Sequence, residues 1–168
     1  ARQSKGTSVA VTFDPHPLKV LSPQGIRLIS TTPQKIELIE RAGIDALVVD
    51  IQDVGARLYT YIWTVKLCLE ACTEAGIPVW ILDRPNPVGH LPFDGPVLKK
   101  EFFTFVGGAS VPLCHRMTAG ELAVWIRAKY HPMCELNVVW MKGWHRDTIY
   151  NETGLPWVRV CLSRIKAL

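Results

Sequence analysis

The sequence predicts an α/β domain of the doubly wound type, with a mostly parallel sheet and flanking helices. Two observations carry this prediction. Short runs rich in β-branched residues alternate with segments of helical length, as in repeated βαβ units. The runs are also apolar at consecutive positions, which is typical of parallel strands buried on both faces. At 168 residues, the chain is long enough to enclose the core of one such domain.

The first predicted elements are a strand, a helix and a second strand. Residues 8–13 are the first strand. In the helix that follows, threonine precedes Pro33, a residue suited to the first helical turn, and Gly43 is a typical stop signal. Residues 46–51 are then apolar except for Asp50 and predict the second strand.

The next elements repeat this pattern. Residues 58–75 predict a helix that ends at Gly76, and residues 77–82 predict the third strand. Pro78 lies at the start of that strand, where a missing backbone donor is tolerated. A loop rich in proline and glycine follows over residues 83–97.

The last predicted helix and strand are marked by a capping box. Thr118 and Glu121 have the spacing of that motif, so we assign Glu121 a structural role and expect a helix that continues to about Lys129. Residues 136–141 predict the fourth strand. Tryptophans inside the predicted elements are expected in the core, and these are Trp63, Trp80, Trp125 and Trp140.

Charge and composition exclude several classes of protein. The formal charge is +4, but residues 1–44 and 158–168 each carry +3 and the segment between them carries −2. A nucleic-acid-binding protein would concentrate positive charge on its working face, so no nucleic-acid partner is expected. No apolar run is long enough to span a membrane. The five cysteines include no CxxC pair, so neither a disulfide framework nor a zinc site is expected.

Polar side chains follow each predicted strand. Because the carboxyl ends of parallel strands meet at one edge, these side chains are expected to share a site. Carboxylates, amides and a guanidinium can hydrogen-bond to sugar hydroxyls, an aromatic ring can cover an apolar sugar face, and paired carboxylates can catalyse glycoside hydrolysis. Asx residues after strands also fix turns, so a structural role is an equal alternative for each aspartate. The candidates are Asp14, His16, Asp50, Gln52, Asp53, Arg57, Asp83, Arg84, Asn86, His115 and Trp144.

Several common motifs are absent from this sequence. No G-x-G-x-x-G segment follows a predicted strand, and there is no P-loop. The G-x-S-x-G segment of serine hydrolases is also absent. A classical dinucleotide-binding protein, an NTPase and an α/β-hydrolase are therefore excluded.

The central segment resembles a known family. Residues 50–62, with Asp-Ile-Gln-Asp-Val-Gly-Ala-Arg-Leu-Tyr, look like the signature of the NamZ-type exo-β-N-acetylmuramidases. Further matching segments occur in the same order, at residues 82–87, 94–98, 116–122, 143–144 and 154–157. The resemblance implies a Rossmann-like domain of a bacterial glycoside hydrolase, followed by a second domain. Such enzymes release N-acetylmuramic acid (MurNAc) from the non-reducing end of peptidoglycan fragments.

The resemblance also implies roles for the candidate residues. Asp53 and Asp83 are the expected catalytic carboxylates. The expected substrate-binding residues are Asp50, Gln52, Arg57, Tyr59, Arg84, Asn86, His115 and Trp144. The family's catalytic glutamate lies in a Gly-Pro-Glu-His-Gly loop that this chain lacks, and residues 158–168 match nothing in the family. We therefore expect an incomplete sheet and a truncated enzyme, with an inactive fragment as the alternative.

The N-terminal segment resembles a second family. Residues 8–21, which include Thr-Phe-Asp-Pro-His-Pro, look like the adenylyltransferase module of bacterial bifunctional riboflavin kinase/FAD synthetases, and residues 28–45 extend the match. There, Asp14 and His16 would lie near the nucleotide and flavin. The nucleotide-binding motifs of that family are missing from this sequence.

The two resemblances leave several interpretations open. One is a fused or rearranged reading frame with three segments, at residues 1–44, 45–157 and 158–168. Such a chain would be either a non-catalytic fragment or a fragment of an FMN adenylyltransferase. The other is a divergent muramidase in which Asp14 and His16 replace the missing acid–histidine pair. The expected partner is a MurNAc-containing sugar, with no cofactor and no metal. An exported or periplasmic location would follow from the muramidase resemblance, and a cytoplasmic one from the flavin resemblance.

Overall fold

A five-stranded parallel sheet forms the centre of the molecule. The computed structural model describes the backbone of Val9–Thr12 and Arg27–Leu28 and the whole of residues 44–157. The order across the sheet is β2-β1-β3-β4-β5, and every neighbouring pair is parallel. The strands are β1 (Val9–Thr12), β2 (Arg27–Leu28), β3 (Ala46–Val49), β4 (Val79–Leu82) and β5 (Leu136–Val139). The parallel α/β fold predicted from the sequence is confirmed.

The strand order determines where a ligand can bind. The chain passes from β1 outwards to β2 and then returns past β1 to β3, so the direction of winding reverses between β1 and β3. This order is one of the two common doubly wound arrangements, and ligands bind outside the carboxyl ends of the strands. The loops that follow β3, β4 and β5 all begin at this edge, which we call the carboxyl edge.

The two described α-helices begin and end as their sequence signals dictate. Helix α1 (Tyr61–Ala75) ends at Gly76, whose φ of 65° is in the left-handed region. Helix α2 (Ala119–Tyr130) begins with the predicted capping box, because Thr118 Oγ1 accepts from the Glu121 amide at 3.2 Å and Glu121 Oε2 accepts from the Thr118 amide at 2.9 Å. The prediction for Glu121 is thus confirmed.

The core lies between one face of the sheet and the two helices. Strands β3 and β4 contribute alternate side chains to it, as the period of a strand requires. Trp63 packs there at 2% exposure, so its predicted burial is confirmed. The fully buried side chains include Leu47, Val49, Trp63, Val65, Leu69, Val79, Ile81, Leu122 and Ile126.

The prediction of a core position is wrong for two other tryptophans. Trp80 is 41% exposed, because it lies between Val79 and Ile81 on β4 and therefore points to the face opposite the buried one. Trp140 comes directly after β5 and is 53% exposed. The apolar run on β4 is thus not evidence of burial on both faces.

The boundaries of several elements also differ from the predictions. Helix α1 begins three residues later than expected. The chain before it turns, and Ala56 forms an isolated antiparallel β-bridge with Cys114. The strand β2 was not predicted, nor were short 3₁₀ helices at Lys100–Phe102 and Tyr150–Thr153. The helix expected before Gly43 lies outside the described residues. Among the helices of the described residues, none combines the length and the apolar character needed to cross a membrane.

Candidate functional site

An ion pair joins the ends of β3 and β4 at the carboxyl edge. Asp50 is the first residue after β3, and its Oδ1 accepts a hydrogen bond from Arg84 Nε at 2.5 Å. The hydrogen bond with Asp50 raises the pKa of Arg84, so the guanidinium stays charged. The Arg84 side chain is 40% exposed, and the pair therefore presents charge to solvent beside the switch point between β1 and β3.

Gln52 extends this connection between the two loops. Its Nε2 donates to the carbonyl oxygens of Asp53 at 2.7 Å and Pro85 at 2.8 Å. The amide thus holds the loop after β3 against the loop after β4. Gln52 and Asp50 are only partly buried, so both side chains remain at the surface of the carboxyl edge.

Four of the predicted site residues lie below this surface instead. We call Asp53, Arg57, Asn86 and His115 the buried polar cluster, since each is less than 10% exposed. Asn86 Nδ2 donates to the Met117 carbonyl at 2.8 Å, and Asn86 Oδ1 accepts from the Val88 amide at 2.9 Å. This carboxamide therefore joins the loop after β4 to the segment before α2.

Asp53 and His115 form the centre of the buried polar cluster. His115 is completely buried, and its Nε2 lies 3.4 Å from Asp53 Oδ2. The same Asp53 oxygen accepts from the Gly55 amide at 2.9 Å. Gly55 has a φ of 79°, and a Cβ atom there would meet Asn86 Oδ1 at 2.2 Å. Gly55 is therefore required both by its backbone conformation and by the close approach of Asn86.

Arg57 also belongs to the interior. Its NH1 group donates to the carbonyl oxygens of Pro96 at 2.7 Å and Val111 at 2.6 Å. The guanidinium therefore connects two segments of the long connection between β4 and α2. Tyr59, two residues further on, has its ring 4.5 Å from that of Tyr61, measured between centroids.

Asp83 lies at the junction of β4 and α2. Its Oδ1 accepts from the Gly120 amide at 2.8 Å, and its Oδ2 accepts from Thr118 Oγ1 at 3.0 Å. Both carboxylate oxygens thus contact the first turn of α2, where backbone donors are unpaired and the helix dipole favours negative charge. Burial nevertheless raises the pKa of Asp83, although the hydrogen bonds from Gly120 and Thr118 act in the opposite direction.

An open cleft of about 360 Å³ lies beyond the end of β5. The loop after β5 and the 3₁₀ helix Tyr150–Thr153 form most of its wall, and Pro85 contributes from the loop after β4. Its polar and aromatic lining comes from Lys142, Trp144, Thr148, Glu152 and Thr153. An aromatic ring, hydroxyls and charged groups are thus brought together in one accessible space, which is typical of a small-molecule site.

The position of Trp144 in this cleft is supported by Arg146. The Arg146 guanidinium carbon lies 5.8 Å from the centroid of the Trp144 ring. Arg146 NH1 donates to the Arg116 carbonyl at 2.7 Å, and its NH2 forms an ion pair with Glu121. Arg116 has a φ of 62°, an uncommon conformation for a residue with a side chain. The loop after β5 is thereby attached to the start of α2.

The structure divides the predicted site residues into two groups. Those at the surface of the carboxyl edge are Asp50, Gln52, Arg84 and Trp144; those in the interior are Asp53, Arg57, Asn86 and His115. Asp83 lies between them, and Asp14 and His16 lie outside the described residues. Sequence reasoning missed Lys142, Thr148 and Glu152. Lys142 and Thr148 lie in the loop after the fourth predicted strand, so the position of that loop could have marked both as candidate site residues.

Within the parts of the chain that the structure describes, no three histidine, cysteine, aspartate or glutamate side chains are grouped to hold an ion.

The fold and its carboxyl edge agree with the position of ligand sites in this class of protein. In parallel α/β domains ligands bind outside the carboxyl ends of the strands, and here that edge carries an ion pair and an aromatic cleft. The chain belongs to the family described as "Exo-beta-N-acetylmuramidase NamZ, N-terminal", which matches residues 2–162.

Known relatives agree with this membership. The chain is 47% identical over 115 residues to the peptidoglycan β-N-acetylmuramidase NamZ of Bacillus subtilis (strain 168), an alignment that covers 68% of this chain and 28% of that protein. A solved DUF1343 family protein from Bacteroides fragilis superimposes with a TM-score of 0.76 at 29% identity, covering 94% of this chain and 51% of the other. A second one gives 0.70 at 26% identity, covering 87% and 50%.

These comparisons confirm one resemblance and not the other. The muramidase resemblance predicted from the central segment is confirmed. The family match continues through residues 2–44, and the resemblance of that segment to FAD synthetases gains no support. The chain spans 28% of the Bacillus relative and about half of each solved structure. The division at residues 44 and 157 stays a prediction.

Proposed function

We propose that this chain supplies the sugar-binding Rossmann-like part of an exo-β-N-acetylmuramidase. Its ligand is the terminal MurNAc residue of a peptidoglycan fragment, bound at the carboxyl edge. The observation that carries the proposal is the open cleft beside Trp144, in a chain that matches the muramidase family over residues 2–162. The Bacillus subtilis relative is named for the same activity.

The surface group of predicted residues suits the binding of a sugar. The ring of Trp144 offers an apolar plane for one face of a pyranose, and the hydroxyl of Thr148 lies in the same cleft. Asp50 and Arg84 supply an acceptor and a donor at the ends of β3 and β4, and Gln52 adds a carboxamide. These groups can hydrogen-bond to hydroxyl and acetamido groups that the cleft leaves accessible.

The buried polar cluster supports this surface without contacting the ligand. Asn86 and Arg57 donate hydrogen bonds to distant segments of the chain, His115 lies against Asp53, and none of the three is more than 10% exposed. We therefore reassign these three from ligand binding to the positioning of loops. Tyr59 remains a proposed binding residue, because it is only partly buried and its ring lies against Tyr61.

Asp83 remains the proposed catalytic carboxylate, whereas Asp53, which was also expected to be catalytic, belongs to the buried polar cluster and is proposed to be a positioning residue. A general acid in a glycosidase needs a pKa above that of an ordinary carboxyl group. Burial raises the pKa of Asp83, which fits that role. Asp53 is 3% exposed and lies beside His115, so it would affect catalysis indirectly, by holding the loop after β3 in position.

Calorimetric titration with the disaccharide MurNAc-GlcNAc tests the binding proposal. We expect binding by the unchanged chain and about a fivefold to tenfold weaker affinity for Trp144→Ala, since an aromatic contact contributes about 1 kcal/mol. Trp140→Ala is the matched control, because Trp140 is another tryptophan that follows β5 but does not line the cleft. Absence of binding, or equal affinities for the two variants, would contradict the proposal.

Release of free MurNAc from the same disaccharide, followed by chromatography, tests the catalytic part. We expect Asp83→Asn to abolish release, because an amide cannot donate the proton that a general acid transfers. If release by Asp83→Asn equals that of the unchanged chain, Asp83 is not the acid.

A further inference from the structure

Charge is unevenly distributed around the cleft beyond β5. Among the described residues that line it, Lys142 is the one cation and Glu152 the one carboxylate. Two arginines lie near the cleft, but Arg84 is paired with Asp50 and Arg146 with Glu121. Within residues 44–157, Lys142 has no hydrogen bond or ion pair. A single uncommitted positive charge is thus available to a ligand in this cleft.

Lys142 and Trp144 are held on one short turn. Gly143, between them, has a φ of 72°, a conformation that glycine adopts without strain. A Cβ atom at this position would meet nothing within 4 Å, so the turn and not crowding accounts for the glycine. The turn places a flexible ammonium group next to an aromatic plane, and both line the same cleft.

The carboxylate of Glu152 is placed differently. Its Oε2 accepts a hydrogen bond from the Ile149 amide at 3.1 Å, at the start of the 3₁₀ helix Tyr150–Thr153. An anionic ligand would be repelled by Glu152 and attracted by Lys142. The cleft therefore has a polarity that can orient a ligand with one negative charge.

We propose that Lys142 is a specificity-determining residue that binds the carboxylate of a 3-O-lactyl sugar, and so selects N-acetylmuramic acid over N-acetylglucosamine. This inference rests on the proposed function. The two sugars differ only by the lactyl ether on O3, which adds one carboxylate. Trp144 would bind the ring that both sugars share, and Lys142 would recognise the group that only one of them carries.

The experiment compares the affinities of two ligands for three proteins and one control variant. The ligands are the methyl β-glycosides of MurNAc and GlcNAc, and the proteins are the unchanged chain, Lys142→Met and Lys142→Arg. Lys99→Met serves as the control, because Lys99 is an exposed lysine that does not line the cleft. Thermal melts verify that each variant is folded.

We expect the unchanged chain to bind the MurNAc glycoside about fivefold more tightly than the GlcNAc glycoside, the size of effect that an exposed ion pair gives. Lys142→Met should lose this preference, while Lys142→Arg and Lys99→Met should keep it. The preference should also fall as salt is added, since screening weakens exposed charge pairs.

The two proposals fail in different ways. If neither sugar binds to any of the proteins, the proposed function is wrong and this inference falls with it. If the MurNAc glycoside binds and Lys142→Met keeps the full preference for it, the proposed function stands and the role of Lys142 is overturned.

Discussion

The buried polar cluster and the cleft beyond β5 use similar residue types for opposite purposes. In the cluster, Asn86 and Arg57 donate to carbonyl oxygens of distant loops and are closed off from solvent. In the cleft, Trp144 and Lys142 lie on one turn and face open space. Both regions come from loops that follow strands. What separates them is whether a second segment of the chain covers the polar groups.

This difference explains why the carboxyl edge can be rigid and accessible at once. Asn86 Nδ2 and Arg57 NH1 each donate to segments that are distant in the chain, and leaving such a buried donor unpaired costs about 1–3 kcal/mol. The loops after β3 and β4 are therefore held in place from below. The surface residues Asp50, Gln52 and Arg84 need only modest interactions of their own to keep their positions.

The largest effect is expected at Gly55. Gly55→Ala would place a methyl group 2.2 Å from Asn86 Oδ1 at a φ of 79°, which combines steric overlap with backbone strain. We expect a loss of about 3 kcal/mol in the free energy of unfolding, measured by urea denaturation. Gly76→Ala is the control: its φ is 65° but nothing lies within 4 Å, so we expect a loss of only about 1 kcal/mol. Equal losses would mean that the cluster is not tightly packed.

A smaller effect is expected from the titration of Asp83. Because burial raises its pKa, the folded protein keeps a proton that the unfolded chain has already released. This stabilisation is complete below the ordinary pKa of 3.8 and is lost as the pH rises through the raised value. Asp83→Asn should therefore lose less stability over this range than the unchanged chain does, in urea denaturation at a series of pH values.

The control for that series is Glu101→Gln, which removes an exposed carboxylate in the 3₁₀ helix Lys100–Phe102. Its stability should follow pH in the same way as that of the unchanged chain. If Asp83→Asn also follows the unchanged chain, Asp83 does not hold a proton at the start of α2.

The smallest effect is expected at the surface of the carboxyl edge. Asp50→Asn removes the ion pair with Arg84, and since that arginine is 40% exposed, we expect a loss of less than about 1 kcal/mol in the free energy of unfolding. Asp147→Asn is the control, because Asp147 is 94% exposed and lies 3.8 Å from Arg116. A loss of several kcal/mol for Asp50→Asn would show that this pair belongs to the buried framework.

Local signals in the sequence were sufficient for the regular elements. The capping box at Thr118 and the stop at Gly76 correctly marked helix ends, because both depend on contacts within a few residues. The strand β2 has two residues and no such signal, so it could not be recognised. Trp80 was misplaced, because its exposure depends on what covers the second face of the sheet.

The candidate site was predicted less completely than the fold. The strand-end rule predicted that loops meet at the carboxyl edge, and Asp50, Arg84 and Trp144 do lie at its surface. The rule could not distinguish these residues from Asn86 or His115, which were candidates on the same grounds but are buried in the structure.

The sequence by itself determined the four longer strands, the helix caps and the family, since each of these is encoded in neighbouring residues or in motifs. The tertiary structure alone decided which polar residues lie at the surface of the carboxyl edge and which are buried between loops. The physical reason is that burial is a property of long-range packing. Asp53 is buried beside His115, sixty-two positions away in the chain, whereas Lys142 is exposed and has no hydrogen bond or ion pair among the described residues.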